Sequence, residues 1–173
     1  MQSRTAKKKT NKTVLFAVEG DTEYAFLTHL KQCYLVRESN VSIKVKNAHG
    51  AGPLGVVDAL VSGSRGKSFD MQAALFDSDL PVCEKSKKYF DQYDVRLFQS
   101  VPAIEGTLLR VGDVRLKLGV TTEECKRLLA RNFAGDAMDV RFYERHFSKG
   151  VMDAGRPKIK LVDDLIAYIL NPK

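Results

Sequence analysis

Four short apolar runs, separated by segments of helical pattern, set the tightest limit on how this chain of 173 residues folds. TVLFAV (13–18) is apolar after Thr13 and rich in β-branched and aromatic residues, as suits a buried strand. VSIKVKN (41–47) alternates apolar and polar residues and reads as a second strand. MQAALFDSD (71–79) is a third strand running into acids, and DVRLFQS (94–100) is a fourth. Amphipathic stretches lie between them. The first is capped by Asp21 or Thr22 and carries Ala25, Phe26, Leu27, Leu30 and Leu35. The second places Pro53 in its first turn, after the glycine-rich HGAGPLG (49–55), and the third covers 81–93 with Pro81 opening it. Alternation of this kind builds βαβ units, so the expected fold is α/β, with a central parallel sheet of about four strands flanked by helices. From Ile104 onward the pattern is mostly helical and ends in LVDDLIAYIL (161–170), so extra C-terminal helices should cover the sheet. The expected organisation is one domain: a disordered basic arm over 1–12, an α/β core over 13–110 and a helical extension packed on it over 111–173.

Hydrophobic residues make up 44% of the chain and charged residues 28%, a balance that can bury a core and argues against global disorder. No apolar run approaches the roughly 20 residues that span a bilayer. The opening MQSRTAKKKTNKT holds no apolar stretch of the kind a secretory signal needs. Cys33, Cys83 and Cys125 are far apart and form no CxxC pair, which reads as free thiols in a reducing cytoplasm.

The net charge of +7 favours a polyanionic partner. Part of it lies in the arm, at Arg4, Lys7, Lys8, Lys9 and Lys12. Candidate nucleic-acid contacts elsewhere are Lys44 and Lys46 on the second strand, Lys85 beside Lys87 and Lys88, and Lys158 and Lys160 near the C-terminus. Phe142, Tyr143 and Phe147 interleave with Arg141, Arg145 and Lys149. Packing in the core is the favoured reading for these aromatics, ahead of stacking on bases. His29 and His146 fall in helical segments and read as surface or packing residues.

Ligand sites in open α/β sheets form at the carboxyl ends of the strands. Glu19 follows the first strand, Asn47 and His49 the second, Asp77 and Asp79 the third and Glu105 the fourth. In an extended segment, positions two apart point to one side, so Asp77 and Asp79 can face one ion. Clustered carboxylates raise one another's pKa, and a divalent cation removes the conflict. Oxygen-only donors suit Mg²⁺ or Mn²⁺. A competing reading makes DSDLP a turn that starts the next helix. His49, in its glycine turn, reads either as a general base or phosphate contact, or as a plain loop residue.

These residues carry a resemblance. VEGDTE (18–23) resembles the EGxTE motif of Toprim domains, and FDSD (76–79) resembles their DxD motif. More narrowly, the chain is similar to the RloB-like group of Toprim proteins, associated with phage defence. GAGP (50–53) followed by VVDAL (56–60) is similar to the turn and helix between that group's first two motifs. SVPAIEGTLL (100–109) resembles its SNPCFExWLLL segment, with Ala103 for Cys, Ile104 for Phe, and Gly106 and Thr107 for bulkier residues. The resemblance covers 13–110.

It implies a Toprim-like, Rossmann-like sheet with Glu19, Asp77 and Asp79 binding Mg²⁺ or Mn²⁺, Glu19 alternatively serving as general acid or base. Glu105 would join that site or orient the attacking water, and Glu23 would support it or favour the helix dipole. The implied activity is metal-dependent hydrolysis of phosphodiester bonds. RNA is the preferred substrate, transfer RNA among the candidates, with DNA open, in a cytoplasmic phage–host conflict. Many Toprim nucleases work beside an ATPase and this chain shows no ATPase signature, so an ATPase partner is implied; a homo-oligomer is left open. The alternative is a Toprim subunit that binds nucleic acid or a partner without catalysis. Nucleotidyl transfer, as in primases, would need a triphosphate loop, and HGAGPLG lacks the GK[ST] that makes one.

Overall fold

A computed structural model describes residues 12–36 and 38–173. The strands are β1 (Lys12–Val18), β2 (Val41–Asn47), β3 (Met71–Asp77) and β4 (Arg96–Ser100), and the helices between them are α1 (Asp21–Tyr34), α2 (Gly52–Ser64) and α3 (Glu84–Gln92). Five more helices follow: α4 (Ile104–Val111), α5 (Thr122–Asn132), α6 (Val140–His146), α7 (Lys149–Gly155) and α8 (Lys160–Leu170). The sheet is entirely parallel in the order β2-β1-β3-β4, with Val14 opposite both Ile43 and Met71, and Leu75 opposite Phe98. The fold is therefore α/β and Rossmann-like, with added C-terminal helices.

The strand order explains the sequence pattern. β1 and β3 are central, and each presents a continuous buried run, 14–18 and 73–77. Successive residues of β1 face opposite cores. Val14, Phe16 and Val18 join α1 and the C-terminal helices, while Leu15 and Ala17 join α2 and α3. Phe16 stacks on Phe98 at 5.6 Å between ring centres and meets Tyr168 of α8 edge-on at 6.2 Å. Leu165, Ile166 and Ile169 of α8 are fully buried, so the last helix closes the same core that β1 opens.

Several boundaries differ from expectation. The expected arm over 1–12 lies outside the described residues except for Lys12, which is the first residue of β1; its amide donates to the Asn40 carbonyl and its Nζ to that of Pro172. Neither Asp21 nor Thr22 caps α1. Gly20 holds the cap position without a side-chain bond, and Asp21 instead accepts from Asn47. α1 stops at Tyr34, before Leu35. β3 ends at Asp77, so Ser78 and Asp79 lie in a turn and the premise of two acids on one extended face does not hold. Pro81 does not open α3, which begins three residues later with Cys83 at its cap position. Phe142, Tyr143 and Phe147 are buried against one another, which removes them as platforms for stacked bases. Of the cysteines, Cys125 is buried, Cys33 half-buried and Cys83 exposed, all free thiols. Among the described residues no helix is long and apolar enough to cross a membrane.

Leu165→Ala should lower the unfolding free energy by about 2–5 kcal/mol in a single cooperative transition. Urea unfolding followed by circular dichroism checks this, and a separate transition for the C-terminal helices would contradict a shared core.

Candidate functional site

β1 leads into α1 and β2 on one side of the sheet, and β3 leads into α3 and β4 on the other. The crevice for a ligand opens where the winding reverses, beyond the carboxyl ends of β1 and β3. Glu19 stands one residue past the end of β1 and Asp77 is the last residue of β3. The Glu19 amide extends the ladder to the Leu75 carbonyl, and its Oε2 accepts from the Asp77 amide at 3.0 Å. Glu19 is thus tied to the neighbouring strand through both backbone and side chain.

Asp77 is held more firmly. Its Oδ1 accepts from the Ser100 hydroxyl at 2.5 Å and from the Ile104 amide, the first residue of α4, at 3.0 Å. The carboxylate therefore faces the positive end of α4. Its Oδ2 has no hydrogen bond among the described residues. Glu105, one residue into α4, is 6% exposed, and its buried Oε2 has no partner among the described residues. Glu23, in the first turn of α1, is 5% exposed. A Cβ on Gly20 would come within 3.1 Å of the Glu23 Oε2, so the glycine gives this carboxylate room.

Glu19, Glu23, Asp77 and Glu105 line one cleft of about 240 Å³ together with His49 and Lys126. Burial drives the electrostatics. It pushes Glu23 up to about 8, assisted by the charges of Asp77, Glu105 and Glu19. Burial likewise raises Glu19, Asp77 and Glu105, with added repulsion from Asp79 in each case. Lys126 opposes the rise in these three. One lysine cannot neutralise four carboxylates, and a proton held at Glu23 relieves part of the conflict.

Asp79 is not among the residues lining this cleft. It is exposed in the turn after β3, and its Oδ2 accepts from the Thr122 hydroxyl of α5 at 2.6 Å. His49 sits on the rim with φ 54° and a largely exposed side chain, 3.7 Å from the Asp21 carboxylate. Its amide donates to Asn47, which in turn donates to Asp21, so the glycine turn is braced against α1.

None of the five lysines predicted to hold nucleic acid lines the acidic cleft. Lys44 and Lys46 are half-buried on the edge strand β2, Lys44 over the Phe69 ring. Lys85 is exposed on α3. Lys158 pairs with Asp113, and Lys160 with Asp164. Lys126, which does face the acids, is absent from the sequence reading. Its position depends on where α5 docks, and no strand-end pattern signals that. A capping box between Thr121 and Glu124 starts α5, which buries Cys125 and Leu129 and leaves Lys126 exposed at the edge of the cleft.

As a test for a cation, the donors fit in kind: oxygen only, carboxylates in conflict, and one buried oxygen at Glu105 without a partner. Among the described residues, however, no three His, Cys, Asp or Glu side chains are gathered closely enough to hold a metal ion as they stand. No protein-family model matches the chain, and neither a curated protein nor a solved structure matches it. Fold and site together define a parallel α/β protein with a carboxylate cluster at its topological switch point.

Between the ordinary carboxylate value of 4.5 and about 8, the unfolded chain has lost the Glu23 proton while the folded chain keeps it. Folded stability therefore falls as pH rises through that window. Calorimetry of metal-free protein from about pH 5 to about pH 8 should show the Tm of Glu23→Gln gaining on the wild type as pH rises. A difference that stays constant with pH would contradict the buried, protonated Glu23.

Proposed function

We propose that the chain hydrolyses phosphodiester bonds in nucleic acid, RNA by preference, with Mg²⁺ or Mn²⁺ as cofactor. The observation that carries this reading is the convergence of Glu19, Glu23, Asp77 and Glu105 in one cleft at the ends of β1 and β3, with Lys126 beside them. The likeness of VEGDTE and FDSD to the Toprim motifs supports it independently. The implied setting, a phage–host conflict with an ATPase partner, rests on that likeness alone.

Glu19 and Asp77 would hold the cation, with Asp79 joining them by leaving Thr122. When bound, the cation neutralises the carboxylates and the scissile phosphate and eases ionisation of water. The fixed Oδ1 of Asp77 orients its free Oδ2 toward the cleft. Glu105, which lines the cleft, would position the attacking water. Lys126 is placed to meet a phosphate oxygen. The water oxygen would form the new bond to phosphorus as the ester P–O bond breaks, and the proton that the water gives up would end on the leaving oxygen. His49 on the rim contacts the flanking chain.

One observation favours a second reading, a subunit that binds without cleaving. The bonds of Asp77 to Ser100 and Ile104 alone account for an acid at that position.

Labelled RNA and DNA incubated with Mg²⁺, Mn²⁺ or EDTA separate the two. Hydrolysis predicts discrete cation-dependent fragments, slowed about 100-fold or more in Asp77→Asn with RNA binding retained. Equal binding by wild type and Asp77→Asn, with no cleavage by either, would overturn it in favour of the binding subunit.

A further inference from the structure

A second cavity of about 330 Å³ opens beside the acidic cleft, and the two share Thr22, Glu105, Lys126 and Met138 in their linings. Its volume lies at the lower end of small-ligand sites, roughly 300–1,000 Å³. Its walls are mostly apolar, with Leu129, Phe133 and Phe142 prominent, and Asp136 and Lys126 supply polar edges.

The walls are fixed before any ligand arrives. Phe133 is wedged where a Cβ on Gly112 would meet its Cζ at 2.4 Å, and it packs edge-on against Phe142. Gly135, at φ 123°, brings the loop after α5 against Phe142, where a Cβ would come within 3.3 Å of the ring. The cavity's polar edge is the exposed Asp136 on the loop after α5, and Glu105 lines both cavities.

We infer that this cavity receives one unpaired nucleobase of the substrate, the base next to the phosphate held in the acidic cleft. The inference rests on the phosphodiesterase reading for its substrate and on the cavity for its chemistry. A base offers a flat apolar surface to the wall that carries the half-buried Phe133, and N–H donors to the exposed Asp136 carboxylate at the cavity's edge. Lys126, shared by the two cavities, lies where the base joins its phosphate. The polymer must therefore present an unpaired nucleotide, and a fully paired duplex does not fit.

The test uses nucleosides, which carry no phosphate, and EDTA, so it does not depend on cleavage. Amide NMR of the full chain titrated with guanosine, adenosine, cytidine and uridine should show saturable shifts in 126–138. Ala130→Trp, at an exposed position on the cavity wall, should weaken binding about tenfold, and Met138→Trp should do the same from the loop side. Asp77→Asn should leave nucleoside binding unchanged. Nucleosides that leave 126–138 unshifted, or that bind both tryptophan variants as well as wild type, overturn the inference even if RNA is cleaved. Saturable binding lost in those variants, in a protein that cleaves nothing, upholds the base site and sinks only the hydrolytic reading.

Discussion

The backbone pairing of β1 with β3 is the constraint on which the rest depends. These strands are neighbours in the sheet but not in sequence, and their following helices pack on opposite faces. The reversal leaves the ends of both strands uncovered, at one place only in a four-stranded sheet of this order. Everything chemically unusual gathers there. Glu19 and Asp77 stand at the ends of the buried runs 14–18 and 73–77 on adjacent strands, so neither backbone can shift without disturbing the core beneath it.

That rigidity has an electrostatic consequence. Backbone amides and a serine hydroxyl support Glu19 and Asp77, α4 brings Glu105, and α1 brings Glu23. Each element packs for apolar reasons: Ile104 and Leu108 of α4, and Phe26 and Leu30 of α1, are fully buried. The acids are carried together by that packing rather than by attraction for one another. Apolar burial of this scale outweighs the repulsion, and the residual conflict appears as a proton on Glu23 and as the unpartnered oxygen on Glu105.

The sheet was legible because its central strands are continuous apolar runs, and a run such as VLFAV has few other places to go. Glu19 and Asp77 were legible because they break those runs at the strand ends. Glu105 lies beyond the end of β4, inside α4, and was named for following the fourth strand and for its place in SVPAIEGTLL. Asp79 was misplaced because the chain leaves the extended conformation at Ser78, and local pattern does not mark where pleating stops. Glu23 resembled an acid serving the helix dipole, and its burial depends on tertiary packing that no local pattern marks. Lys126 and the aromatic cavity were invisible for a similar reason. They depend on α5 and α6 folding back over the sheet end, a long-range contact that no spacing announces. Pro81 misled because proline favours a first helical turn but equally suits the extended segment before one.

The central claim is that the carboxylates at the ends of β1 and β3 form a seat for a divalent cation. Calorimetric titration of Mn²⁺ into chelator-treated protein tests it most directly. The account predicts saturable binding to the wild type that is lost in Glu19→Gln and in Asp77→Asn, with both variants still folded. No saturable binding by the wild type, or equal binding by the two variants, would contradict it.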